Sequence, residues 1–170
     1  ADDGMAPNFN YMAEFIEFVS KTSNEEFSAQ FAERVAESTV IDTFIFLNLI
    51  MGYDNAGRNT FWILRNVNES HKMMHGLWDL DGVLGRDWNR VKRSANNGWL
   101  YGSSDNPSKH FRLFKRIIDG DVEGLQQKIY DRWEELKYNQ LEPTKFDALV
   151  DYYADLQIST GARDREIKRW

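Results

Sequence analysis

The chain has 170 residues, 42% of them hydrophobic and 14% aromatic, with 21 basic against 27 acidic side chains, a formal net charge of −6 and a pI of about 5.1. This is enough apolar chain for one folded domain with a real core, and the dispersed, net-acidic charge excludes a nucleic-acid surface, which needs clustered Lys and Arg. With no cysteine, a disulfide framework, a thiolate nucleophile and a Cys-based zinc site are excluded as well.

Met12, Phe15, Ile16 and Val19 recur at helical spacing and predict a first helix over residues 10–20. Ser23 and Glu26 have capping-box spacing, which predicts a second helix running to about Val35. Thr39 or Asp42 opens a third over Val40 to Met51, apolar almost all round and so expected to be buried, with Gly52 at its C-terminal cap. Its most apolar stretch, Thr43 to Met51, carries Asn48 and is too short to cross a bilayer, so no membrane span is expected.

Two β-rich runs, Thr60 to Val67 and Lys72 to Trp78, flank the polar turn Asn68-Glu69-Ser70 and predict a hairpin. From Gly82 to Pro107 no period is visible, and a loop of that length is expected to be functional or mobile. Helices are expected again over Ser108 to Ile118, Val122 to about Tyr138 and Pro143 to about Ser159, with Gly161 ending the last before a charged segment closes at Trp170. The fold class is therefore mainly α with a small β-hairpin, an α+β arrangement in a single domain. The chain begins at Ala1 with no basic and apolar leader, so either processing removed one or this is a trimmed piece.

One constellation points to chemistry. Asp54 and Asn59 lie five residues apart just after the apolar third helix, and Trp78-Asp79-Leu80-Asp81-Gly82 follows the hairpin. Phosphoryl transfer needs oxygen ligands for a bridging magnesium ion and an acid that orients the attacking hydroxyl. Asp54 suits the orienting role, while Asn59 and Asp79 suit metal ligation. The Asp-to-Asn spacing equals that of the kinase catalytic loop, where an apolar helix also comes first and a hairpin leads to the metal-binding acid. Asp81 is either a further metal ligand or a cap for the turn at Gly82, and Arg58 is either an ion-pair residue or a phosphate contact.

The segments Ile41-Asp42-Thr43-Phe44, Gly52-Tyr53-Asp54-Asn55-Ala56-Gly57-Arg58-Asn59 and Leu77-Trp78-Asp79-Leu80-Asp81-Gly82 resemble the CotH family, the spore-coat-protein-H type of atypical protein kinase. The closing Asp164-Arg165-Glu166 to Arg169-Trp170 is similar to an Arg-Trp segment late in that family. The resemblance is specific over about 40 residues. It implies a kinase-like C-terminal lobe, ATP with Mg2+ or Mn2+ as cofactors, and phosphorylation of Ser, Thr or Tyr hydroxyls on secreted, cell-surface or spore-associated proteins. Nothing before residue 40 looks like a nucleotide-covering glycine loop, and Lys21, the only lysine before Asp54, follows a helix. The chain is thus expected to be the C-terminal lobe without its nucleotide-gripping partner, and inactive alone.

Two other functions use the same residues. A non-catalytic surface or spore-associated binding module would keep the fold without turnover. Asp79-Leu80-Asp81-Gly82 also matches the first motif of haloacid-dehalogenase-type phosphatases, with Asp79 as nucleophile, but that motif should end a strand of a parallel sheet, and the chain downstream reads as helical. Trp62 and Trp78 are expected in the core, whereas Trp88 and Trp99 fall in the long loop, where a nucleotide or substrate is one use for them. His71, His75 and His110 show no metal-ligand arrangement and are expected at the surface or in packing, and the run Arg163 to Arg169 as a solvated helix face.

Overall fold

Amphipathic spacing becomes helix wherever a local cap is available. In the computed structural model, which describes residues 10–52, 55, 58–65, 70–85 and 112–169, α1 spans Asn10–Lys21 and α2 spans Asn24–Arg34. The Ser23 hydroxyl accepts from the Glu26 N–H at 3.1 Å, so the expected N-cap is in place. Phe15 and Phe18 of α1 and Phe27 and Phe31 of α2 are buried against one another.

The turn between α1 and α2 leaves backbone carbonyls with no helical partner. Arg116, on α4 (Arg112–Asp119), takes them up. Its Nη1 donates to the Val19 carbonyl at 2.8 Å, and its Nη2 donates to the Thr22 carbonyl at 3.0 Å and to the Ser23 carbonyl at 2.7 Å, the last of which also accepts from the Phe27 N–H at 2.9 Å. The guanidinium also lies 4.0 Å from the centroid of the Phe27 ring, a cation–π contact.

Helix α3 runs Glu37–Ile50 and so begins before Thr39 and Asp42. Ala36 precedes it with no side-chain cap. Long-range bonds substitute: Ala36 N–H donates to the Met73 carbonyl at 2.9 Å and Met73 N–H to the Arg34 carbonyl at 2.8 Å, forming a parallel bridge between Val35 and Met73. The Thr39 hydroxyl donates to the Ala36 carbonyl at 2.8 Å and accepts from the His75 N–H at 3.1 Å, so it fastens the helix to the hairpin. Half of the residues of α3 are buried, most of its apolar ones among them, but Phe46 and Leu49 remain 39% and 41% exposed.

The hairpin is shorter than its apolar runs. β1 (Thr60–Ile63) pairs antiparallel with β2 (Met74–Leu77), Thr60 facing Leu77 and Ile63 facing Met74. Asn68 and Glu69 of the expected turn, and residues 86–111 with Trp88, Trp99 and His110, lie outside the described residues. Mainly helical with one two-stranded sheet, the structure has the fold class that the sequence predicts.

Aromatic rings hold these elements together. Neighbouring rings run from Phe31 through Phe27, Phe18 and Phe15 to Trp62, then through His75 to Phe114 and Phe44. His75 stacks on Trp62 with centroids 4.4 Å apart, and its Nδ1 is buried without a hydrogen-bond partner. Trp78, expected in the core, is instead 62% exposed, because it lies just past the end of β2, where its ring packs edge-on against Phe61.

The helix expected from Val122 is broken. Asp121 and Glu123 have φ of 43° and 54° and Gly124 a φ of 67°, so a 3-10 turn at Val122–Gly124 precedes α5 (Leu125–Tyr138). The Asp121 carboxylate accepts from the Gln126 N–H at 3.0 Å and caps the new helix start. The chain divides after Ile129 into two units. In the second, α6 (Pro143–Ser159) is capped by the Glu142 side chain on the Lys145 N–H at 3.2 Å. Gly161, at φ 67°, ends α6 before α7 (Ala162–Arg169). Neither α6 nor α7 contains a buried residue, and the charged face expected over residues 163–169 is exposed. No described helix is long and apolar enough to cross a membrane.

Two stability predictions come from this core. Arg116→Ala removes the donors to the Val19 and Thr22 carbonyls and the cover of Phe27, and is expected to destabilise the fold by about 2 kcal/mol in urea denaturation. Arg116→Lys keeps the charge without the planar fork and should recover less than half of that. Burial pushes the His75 pKa down from 6.5 to about 4. The folded state thus keeps the imidazole neutral while the unfolded chain binds a proton below 6.5, so stability is full above that pH and falls toward pH 4, by about 3 kcal/mol in total. His75→Phe should remove this part of the slope when urea midpoints are compared between pH 7.5 and 4.5.

Candidate active site at the end of α3 and the hairpin

The end of α3 is reversed by Met51, which occupies the left-handed region at φ 54° and ψ 46°. Gly52, expected in that role, is not left-handed; it serves close approach. A Cβ there would lie 2.8 Å from the Leu47 Cδ2 and 3.4 Å from the Asn55 Oδ1. Gly52 N–H donates to the Leu47 carbonyl at 2.9 Å, and Asn55 N–H to the Gly52 carbonyl at 3.2 Å, so the chain turns tightly beneath the helix. The Ile50 carbonyl, left over at the helix end, accepts from the Leu84 N–H at 2.6 Å.

Asn55 is 1% exposed. Its side-chain Nδ2 donates to the Trp78 carbonyl at 2.6 Å and the Asp79 carbonyl at 3.1 Å, with the Asn59 carbonyl at 3.5 Å. Trp78 N–H donates to the same Asn59 carbonyl at 3.0 Å, extending the ladder by one pair beyond Thr60 and Leu77. Asn59 and Asp79 are therefore brought to one end of the hairpin by backbone pairing. Asn59 is half-buried and Asp79 exposed.

Asp79 has a φ of 57°. For a residue with a Cβ this conformation is strained by about 1 kcal/mol, and Asp tolerates it better than most. Leu84, at φ 57°, and Gly85, at φ 81°, follow in the same region, so the segment after β2 concentrates left-handed backbone. Asp81 is exposed in the turn with Gly82, and a Cβ on Gly82 would meet nothing within 4 Å. Arg58 is exposed, and its carbonyl accepts from the Thr60 N–H at 2.7 Å. Asp54 lies outside the described residues.

Asn55 is the buried polar residue to which the sequence pattern gave no role. An amide next to an acid in an Asp-Asn-x-Gly run carries no mark of burial. Its partners lie 23 and 24 residues away, beyond any local pattern.

Among the described residues, no three His, Cys, Asp or Glu side chains gather as a metal-binding group. A separate cleft of about 270 Å3 is lined by Tyr11, Glu14, Phe15, Glu33, Arg34, His71 and Met73. No candidate residue lines it.

With this geometry in place, comparison with known proteins adds one finding. The family model described as CotH kinase protein matches residues 1–170, the whole chain. No curated protein and no solved structure matches the chain.

Gly52→Ala tests the tight turn. Leu47 is fully buried and has little room to yield to the new methyl group. The variant is expected to lose about 1–3 kcal/mol of stability, measured by urea denaturation, as overpacked sites do.

Proposed function

Because the chain belongs to the CotH kinase family, we propose that it carries the metal and catalytic residues of an atypical protein kinase that transfers phosphate from ATP to protein hydroxyls. The observation that carries this reading is the junction of Asn59 with Asp79. The Trp78–Asn59 backbone bond and the buried Asn55 amide hold an amide and a strained, solvent-facing carboxylate at one hairpin end. Non-glycine residues in left-handed backbone cluster where function requires them.

The donor set suits magnesium or manganese. Asn59 and Asp79, with Asp81 as a further candidate, offer only oxygen, the ligand type that hard divalent cations take. When bound, the metal–ATP complex supplies the γ-phosphoryl group with its charge neutralised. The chain's own task is positioning. Asn59 and Asp79 hold the ion, Asp54 orients the substrate hydroxyl and receives its proton, and Arg58 contacts phosphate. The proposed substrates are Ser, Thr or Tyr hydroxyls of secreted, cell-surface or spore-associated proteins.

Substitution in full-length protein tests the assignment. Asp54→Ala and Asp79→Ala are each expected to lower transfer of radiolabelled γ-phosphate by about 100-fold or more, with thermal unfolding little changed. Transfer retained in Asp54→Ala would sink the kinase reading, and phosphate trapped covalently on Asp79 would assign phosphatase chemistry instead.

A further inference from the structure

We propose that Asn55 is a positioning residue for metal binding, acting on Asp79 through the backbone; the inference rests on the reading of Asp79 as a metal ligand. The Asn55 amide nitrogen has two hydrogens and two close acceptors, the carbonyls of Trp78 and Asp79. Consecutive carbonyls held by one donor group fix the peptide planes on both sides of the Asp79 Cα. Those planes set φ and ψ, and Asp79 sits at a φ of 57°, away from the broad minimum that a free aspartate would choose.

The hold is itself rigid. Asn55 is fully buried, its own N–H is tied to Gly52, and Gly52 lies so close to Leu47 and to the Asn55 side chain that no Cβ fits without displacement. The Asn59 carbonyl is at the edge of bonding distance from the same nitrogen and takes the Trp78 N–H as well. One amide group thus ties together the backbones from which both proposed oxygen ligands project. The exposed Asp79 carboxylate gets its direction from this backbone.

The chemistry requires a donor at position 55. Asp is the same size as Asn but presents oxygen where Asn presents NH2, and would face two carbonyl oxygens. Outer groups that orient metal ligands typically contribute 10–100-fold to metal affinity.

The test is titration of full-length protein with Mn2+, followed by electron paramagnetic resonance with and without ATP, at a temperature well below the unfolding transition of each variant. Asn55→Ala is expected to weaken Mn2+ binding about 10–100-fold, and Asn55→Asp at least as much. In steady-state assays the same variants should raise the metal concentration needed for half-maximal rate. A purely structural role would lower the unfolding temperature and leave the Mn2+ constant of the folded protein unchanged, and that result overturns the inference. Asn55→Asp, which preserves volume, decides the matter if Asn55→Ala does not fold; if neither folds, Asn55 supports the fold as a whole and the inference is overturned. Asp79→Ala runs in parallel. Weakened binding in Asp79→Ala with unchanged binding in the Asn55 variants overturns this inference alone, whereas unchanged binding in Asp79→Ala overturns the ligand reading on which it stands.

Discussion

The Arg116 guanidinium is the fastening on which the first unit depends. Helix α1 ends in carbonyls that a turn as short as Thr22-Ser23 cannot satisfy by itself, beside the stacked rings of Phe18 and Phe27. A planar cation with donors on both nitrogens meets several of these carbonyls at once while covering an aromatic face. With the α1–α2 corner fixed, Phe15 reaches Trp62 and Arg34 reaches Met73 through its carbonyl, so the hairpin is placed against the helices. The hairpin end then meets the end of α3 through the Asn55 side chain and the Leu84 N–H.

Membership of the CotH kinase family and the geometry at residues 52–85 bear on different questions. The family model places the whole chain among CotH kinase proteins. The local structure bears on particular residues: Asp79 is exposed, has a left-handed φ of 57°, and its carbonyl accepts from the buried Asn55 amide. Burial of Asn55 beside exposed acids separates the load-carrying polar groups from those available to a ligand.

What the sequence made legible was local. Ser23 capping α2, Pro143 opening α6 and Gly161 closing it all act within a few residues, and each was readable from residue type and spacing. The start of α3 was not, because Ala36 carries no capping side chain and its N–H is satisfied by Met73. Nor was the break before α5, where Asp121 and Glu123 adopt a backbone that Gly124 alone would have suggested. Met51, not Gly52, took the left-handed position, because Gly52 was needed where a side chain would strike Leu47. In the candidate site, residue types singled out Asn59, Asp79 and Asp81 as candidates, while the buried Asn55 amide that bonds to the Trp78 and Asp79 carbonyls was hidden by its distance along the chain.

Those distances also order events during biosynthesis. Asn55 bonds to residues only 23 and 24 positions further on, so its partners leave the ribosome soon after it does. Arg116 reaches back 93 to 97 positions, and the corner between α1 and α2 waits, hydrated, until nearly the whole first unit has been translated. Closing so long a loop is slower than pairing a hairpin. The hairpin end and its acids can therefore assemble on a nascent chain whose N-terminal helices are not yet fastened, and docking of α4 becomes the step that commits the unit to its final form.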